Sequence, residues 1–144
     1  MKRIALALAL IAAFAQATAS PVSSSKSGNM QTALDDLSLA LLDHGYTLVK
    51  VQPVDQALVK RGFADPGIRL VFVGKEEHVR QALAEDPALL NLLPLRLTLE
   101  SDNGRVRISS DDLAIWRENR PSASPVLQQW EDELTAILSD YAAK

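Results

Sequence analysis

Apolar and polar residues alternate along residues 95–108, on both sides of the pair Asn103-Gly104. A period of two is typical of a strand with one buried face, and Asn-Gly is the strongest short signal for a two-residue hairpin turn. With the turn at this pair, Leu99 lies opposite Ile108, and the charged residues of the two strands pair on the other face. We therefore predict a β-hairpin in this register.

Helical spacing of apolar residues predicts a first helix over residues 30–44, with Asn29 as its N-cap and Gly45 as its stop. A wide apolar stripe, with Ser124 as its N-cap, predicts an amphipathic C-terminal helix over residues 124–144. Between the first helix and the hairpin, the pattern predicts a strand at 46–52, a short helix at 53–62, a central strand at 68–74, a helix at 75–86, and a helical turn or buried loop at 88–93.

The first 19 residues have the layout of a secretory signal peptide, with two cations, an apolar run over residues 4–14 and small residues ending at Ala19. This run is well short of the roughly 20 residues that a membrane-spanning helix needs. We expect cleavage after Ala19 and a periplasmic or secreted protein; the alternatives are an uncleaved anchor or a buried helix. The Ser-rich residues 20–29 predict a flexible leader, and the aperiodic residues 113–123 an irregular linker.

The charge of the chain and its lack of cysteine argue against several classes of function. The chain has 15 basic and 18 acidic residues and a net charge of -3, and removal of Lys2 and Arg3 with the signal would make it more acidic. This balance disfavours nucleic acid and anionic membrane surfaces as partners, and we expect no stable membrane insertion after signal removal. Because the chain contains no cysteine, neither disulfides nor thiolates contribute.

Two segments carry a family resemblance: "LLDHGYTLVKV" and "RLVFVGKEEHVRQALAEDPALLNLLPLRLTLESDNGRVRIS". Their order resembles the domain-of-unknown-function 302 family over about residues 30–112. The resemblance implies a single α+β domain with an antiparallel or mixed sheet and helices on one side, often a dimer, with no established chemistry. It places the C-terminal helix beyond the family core.

This chain departs from the family pattern at two places. Many relatives have Asn-Pro after the central strand, where this chain has Gly74-Lys75. Many also have Cys after the Pro that opens the hairpin, where this chain has Leu95, so any metal or thiol role of that Cys is missing here.

The candidate catalytic and metal-binding groups are sparse. We interpret His44 as a helix cap, because it directly precedes the Gly that ends the first helix. His78 lies beside Glu76 and Glu77 at a spacing that does not face one metal on a helix, so we interpret it as part of a solvated face. Adjacent acids diverge on a helix and offer no carboxylate dyad. We therefore predict no catalytic residues, no metal and no cofactor.

A few aromatic and basic residues remain as possible contacts with a ligand or partner. Trp116 lies outside any periodic stripe, and either tucks under its loop or forms a lip over a small acidic or aromatic ligand together with nearby Arg side chains. Arginines on the polar hairpin face could meet an anion, although their acidic cross-strand neighbours also suit a solvated ion-pair ladder. The candidates are Trp116, Arg117, Arg120, Arg96 and Arg107, with Arg105 on the same hairpin face.

These observations favour an exported, non-enzymatic binding or accessory module, with a homodimer or a protein partner as a possibility. The first alternative is a carrier of a small hydrophobic or acidic ligand, held between the C-terminal helix and the sheet. An enzyme is the second alternative, and it has the least support.

The central strand raises a further question, because Leu70 and Phe72 alternate with Val71 and Val73. A single helix layer cannot bury both sets. We expect the C-terminal helix to cover the second face, and the alternative is a second subunit packed there.

Overall fold

The computed structural model describes residues 21–144. They form one α+β domain around a five-stranded antiparallel sheet with the strand order β1-β5-β4-β3-β2. The expected fold class is confirmed. The strands are β1 (Ser23–Ser27), β2 (Thr47–Gln52), β3 (Ile68–Gly74), β4 (Leu95–Asp102) and β5 (Arg105–Ser110). The helices are α1 (Met30–Asp43), α2 (Val54–Val59), α3 (Glu76–Glu85), α4 (Ala114–Asn119) and α5 (Ser124–Ala143), with 3-10 turns at Pro87–Leu92 and Pro121–Ala123.

The hairpin β4–β5 has the predicted register. Leu99 pairs with Ile108 and Glu100 pairs with Arg107. Asn103 and Gly104 both have positive φ, 48° and 73°, as the two-residue turn requires. Turn chemistry and apolar pattern therefore specify the same pairing.

All the buried apolar strand residues lie on one face of the sheet, under the helices. Val71 and Val73 on β3 and Leu97 and Leu99 on β4 are completely buried there. Leu70 pairs with Thr98 on the opposite face, where the side chains of β3 are only half-buried. We call this second surface the open face of the sheet.

Helix α5 packs on the same side as α1, so the expectation that it covers the second face is wrong. Trp130, Leu134 and Ile137 are buried in the same core as the β3 and β4 residues, and the hydroxyl of Tyr141 donates to the carbonyl of Val106. The reason is that α1 alone is too narrow for five strands. The stripe of α5 fills the half of the core above β1 and β5.

The expected flexible leader at 20–29 contains a strand. Residues 23–27 form β1, which adds to the free edge of β5, and Lys26 pairs with Asp36 on α1. Backbone hydrogen bonding drives this pairing, and the Ser side chains need no buried partner. The expected irregular linker at 113–123 is also largely helical, with α4 and a 3-10 turn.

The expected signal peptide at 1–19 lies outside the described residues. Among residues 21–144, no helix is long and apolar enough to cross a membrane.

Candidate functional site

A buried polar cluster joins α3, α5 and the start of β2. One carboxylate oxygen of Glu133 on α5 accepts from the hydroxyl of Tyr46, from the Lys75 ammonium at 2.8 Å and from His78 Nε2 at 3.1 Å. Tyr46 and His78 also contact each other, with 2.9 Å between the hydroxyl and Nε2. We call Tyr46, Lys75, His78 and Glu133 the Glu133 cluster.

The junctions between secondary-structure elements position three of these side chains. Tyr46 follows the α1 stop at Gly45, and its backbone N–H donates to Leu41 at 2.9 Å. Lys75 joins the end of β3 to α3, and His78 lies in the first turn of that helix. The cluster therefore forms where α1, β3 and α3 end or begin, and α5 closes it from above.

The cluster shifts the titration of its own members. Burial alone would raise the pKa of the Glu133 carboxyl, but hydrogen bonds from Lys75, Tyr46 and His78 outweigh it and lower that pKa to about 2. Burial, supported by the Glu133 carboxylate, raises the pKa of the Tyr46 hydroxyl far above its usual range. Burial also lowers the pKa of the His78 imidazole, against the opposing pull of Glu133. At neutral pH the cluster thus holds a carboxylate, a phenol and a neutral imidazole.

The second ring nitrogen of His78 has no hydrogen-bond partner among residues 21–144. The ring is packed against the Trp130 ring, with 4.8 Å between centroids, and only 1% of the residue is exposed. Trp130 itself is satisfied, because its indole N–H donates to the Gln81 side chain at 2.7 Å. His78 Nδ1 is a buried polar atom without a hydrogen bond, which is unusual in a folded protein.

A mostly apolar cavity of about 430 Å³ lies beside the cluster. It is lined by β2, the end of β3, the first turn of α3 and the segment 90–94 that precedes β4. The Leu93–Pro94 peptide bond in this wall is cis. The lining residues are Thr47, Val49, Gly74, Lys75, Glu76, His78, Val79, Leu90, Leu93 and Pro94.

Helix α3 presents two apolar side chains outward, Val79 at this cavity and Leu83 one turn further along, outside its lining. His78 and Ala82 are buried, whereas Val79 is 40% and Leu83 58% exposed. The interpretation of His78 as part of a solvated face is therefore wrong. Two neighbouring stripes on α3 compete for the core, His78 with Ala82 and Val79 with Leu83, and the one with the histidine is inside, where Tyr46 and Glu133 supply its partners.

The predicted contact residues are dispersed and engaged in ion pairs. Arg117 pairs with Glu131 at 2.5 Å, and Arg120 pairs with Asp86 at 2.6 Å and lies 5.9 Å from the centre of the Trp116 ring. Trp116 packs against the core, as the tucked alternative expects.

Two of the hairpin arginines show the same ion pairing. Arg96 pairs with Asp111 at 2.9 Å, and Arg107 lies 3.9 Å from Glu100 on the open face. None of these arginines lines the cavity beside the Glu133 cluster.

His44 is the C-cap residue of α1, as interpreted, and its side chain contacts Asp140 at 2.5 Å. Within residues 21–144, no group of three or more His, Asp or Glu side chains is placed to hold a metal ion.

The family model described as "Domain of unknown function DUF302" matches residues 22–141. The chain belongs to the DUF302 family. The match extends along α5 to residue 141, so the expectation that this helix lies beyond the family core is wrong. α5 also supplies Trp130, Leu134 and Ile137 to the hydrophobic core of the domain.

A solved DUF302 structure has the same fold. The crystal structure of an uncharacterized conserved DUF302 protein from Bacillus stearothermophilus superposes with a TM-score of 0.74 at 18% identity. The likeness covers 83% of this chain and 97% of that one, and it concerns the fold alone. A comparison with curated proteins found no match.

Proposed function

We propose that this DUF302 protein is an exported, non-enzymatic binding module whose ligand occupies the cavity beside the Glu133 cluster. The observation that carries the proposal is the cavity itself. A volume of about 430 Å³, mostly apolar walls and a few polar groups at one end are the usual features of a small-molecule site.

The orientation of α3 supports the same surface. Val79 is 40% exposed at this cavity, so α3 leaves apolar surface unburied there. Val49, which is 57% exposed, and Leu90, which is 39% exposed, add to this apolar surface at the cavity. A ligand that covers these side chains would recover the burial.

The state of the cluster favours binding over catalysis. A general base works best with a pKa near the operating pH, whereas the Glu133 carboxyl has a pKa of about 2 and already accepts three hydrogen bonds on one oxygen. The Tyr46 hydroxyl donates its hydrogen bond to Glu133, and its raised pKa keeps it protonated. Neither group is therefore suited to act as a general base or acid.

The alternative of a carrier that holds its ligand between α5 and the sheet has less support. A cleft lined by Leu134 of α5, Leu95 and Ser110 has a volume of about 10 Å³, which holds a water molecule at most. We therefore place the ligand at α3.

A dye-binding experiment tests the proposed site. We expect the neutral dye N-phenyl-1-naphthylamine to bind the mature protein with a rise in fluorescence, and Val79→Glu to weaken that binding at least about tenfold. Val59→Glu on α2 is the matched control, since Val59 is 50% exposed and lies away from this cavity. Loss of binding in the Val59 variant alone, or no binding to the native protein, would refute the proposed site.

Export rests on the sequence of residues 1–19. We expect the protein recovered from outside the cytoplasm to begin at Ser20. Intact-mass measurement checks this, and a periplasmic or secreted form that retains Met1 would contradict it.

A second candidate function is self-association through the open face. Ile68, Leu70 and Phe72 on β3 are half-buried there, and no helix in the described part of the chain covers them. A second copy of the chain would bury this stripe. Sedimentation should then show a dimer that Phe72→Lys converts to a monomer. A monomeric native protein at tens of micromolar would exclude the candidate.

A further inference from the structure

The cavity beside the Glu133 cluster is lined by a glycine that its backbone conformation does not require. Gly74 is the last residue of β3 and lines this cavity. Among the glycines of residues 21–144, Gly74 alone has a φ outside the left-handed region. A residue with a side chain can therefore adopt this backbone conformation without strain. Since glycine weakens a strand, its presence here needs another explanation.

The space that a side chain at position 74 would occupy is open. Apart from the adjacent residues of the chain, a Cβ at Gly74 would have one heavy atom within 4 Å, the Cβ of Pro94 at 3.9 Å. That distance is an ordinary van der Waals contact. By contrast, a Cβ at Gly67 would lie 2.5 Å from the carbonyl oxygen of Ser101. Packing therefore excludes a side chain at Gly67 but not at Gly74.

Two neighbours show that this open space belongs to the cavity. Pro94, the one residue near the Cβ position, itself lines the cavity. Thr47 lines it too, and pairs with Gly74 between β2 and β3. Paired residues of antiparallel strands project from the same face of the sheet. A side chain at position 74 would thus project beside Thr47 and Pro94, into the cavity.

We propose, building on the proposed binding function, that Gly74 is a specificity-determining residue of this site. Its missing side chain provides the room in which an apolar ligand packs against the backbone of β3. Glycine suits a strand position where a ligand approaches the backbone closely. A ligand seated there can also contact Val49 and Val79, which are exposed at the same cavity. The bulk of the side chain at position 74 then decides which ligands fit.

Two substitutions that fill this space test the inference. Gly74→Ala adds one carbon to the cavity and Gly74→Val adds a branched side chain. We expect the binding of N-phenyl-1-naphthylamine to the mature protein to weaken about threefold in the first variant and at least about tenfold in the second. Urea unfolding should show both variants to be at least as stable as the native protein, because Ala and Val restrict the unfolded chain and Val favours a strand. Weaker binding without loss of stability is the result that a purely structural glycine would not give.

A smaller probe and a matched control sharpen the test. Naphthalene has the double ring of the dye without its phenylamino group, so Gly74→Ala should change its dissociation constant, measured by titration calorimetry, by less than about twofold. Ser109→Val adds bulk on the same face of the sheet, at a residue outside the cavity lining, and should leave dye binding unchanged.

The outcomes separate this inference from the proposed function. If Gly74→Val binds the dye as the native protein does, the inference is wrong, and loss of binding in Val79→Glu would still support the cavity as the site. Marked destabilisation of Gly74→Ala would also overturn it, because the glycine would then serve the fold. Equal weakening of dye and naphthalene by Gly74→Ala would mean that this position does not select by size. If the native protein binds neither compound, the proposed function fails as well.

Discussion

Replacing Glu133 with Gln tests whether the buried cluster stabilises the fold. The change keeps the side-chain shape and removes the charge that accepts from Tyr46, Lys75 and His78. A pKa of about 2 in place of 4.5 means that the folded state favours the carboxylate over the neutral acid by about 3 kcal/mol more than the unfolded chain does, at about 1.4 kcal/mol per pKa unit.

Solvent screening reduces that figure, since the Glu133 side chain remains 23% exposed. The variant also leaves Lys75 without its counter-charge and places an amide N–H₂ among donors, which costs free energy. We therefore expect Glu133→Gln to lower the free energy of unfolding by about 2 to 3 kcal/mol at pH 7.

Urea unfolding followed by circular dichroism measures this loss. Asp132→Asn is the matched control on α5, since Asp132 is exposed and its one side-chain contact is with Gln128. We expect this control to change stability by less than about 0.5 kcal/mol. Equal stabilities of the two variants would refute the argument that the Glu133 carboxylate holds the cluster together.

Leu99→Ala should cost about 2 to 4 kcal/mol in urea unfolding and Glu100→Ala less than about 1 kcal/mol, because only the first side chain is buried; equal losses would contradict the hairpin register. Gly67→Ala should cost at least about 1 kcal/mol by the same assay, since φ is +63° and a Cβ would lie 2.5 Å from the Ser101 carbonyl oxygen; an unchanged stability would mean that this turn has another conformation. The free energy of unfolding should fall as the pH drops from about 4.5 toward 2, because Glu133 is then protonated in the unfolded chain but still ionised in the folded protein. If the Glu133→Gln variant loses as much stability over this pH range as the native protein, Glu133 is not the source of the acid sensitivity.

The elements that the sequence predicts well are those with a local signal. Asn103-Gly104 determines its turn, and Asn29 and Gly45 mark the ends of α1, with Asn29 in a reciprocal capping box with Thr32. Each of these features depends on residues within a few positions of one another. Such features can be interpreted without the tertiary structure.

β1 has no such local signal. Its sequence SSSKS lacks apolar alternation, and the strand exists because β5 offers a free edge about 80 residues away. α4 also lacks a local sequence signal, since it has six residues and no side-chain cap. Both elements depend on neighbours that are remote in sequence, which is why the segments 20–29 and 113–123 were expected to be irregular.

The candidate site was missed for the same reason. His78 looked solvated because its sequence neighbours are Glu76 and Glu77, and its decisive partner Glu133 is 55 positions away. The sequence signal that could have indicated the site is a pair of neighbouring stripes on α3. One stripe contains His78 and Ala82, and the other contains Val79 and Leu83. When two stripes compete, the sequence alone does not decide which faces the core.

The orientation of α3 links stability to function in this fold. If Val79 and Leu83 faced the core, the helix would need no polar partners and the cavity would lose the apolar side chain of Val79. With His78 inside instead, hydrogen bonds from Lys75, Tyr46, His78 and Gln129 offset the burial of the Glu133 carboxylate, and His78 Nδ1 has no hydrogen-bond partner within residues 21–144. Structures that keep a costly polar arrangement in the core commonly do so at functional sites. A ligand in the proposed site beside α3 would stabilise the folded state by covering the apolar surface of Val79, Val49 and Leu90.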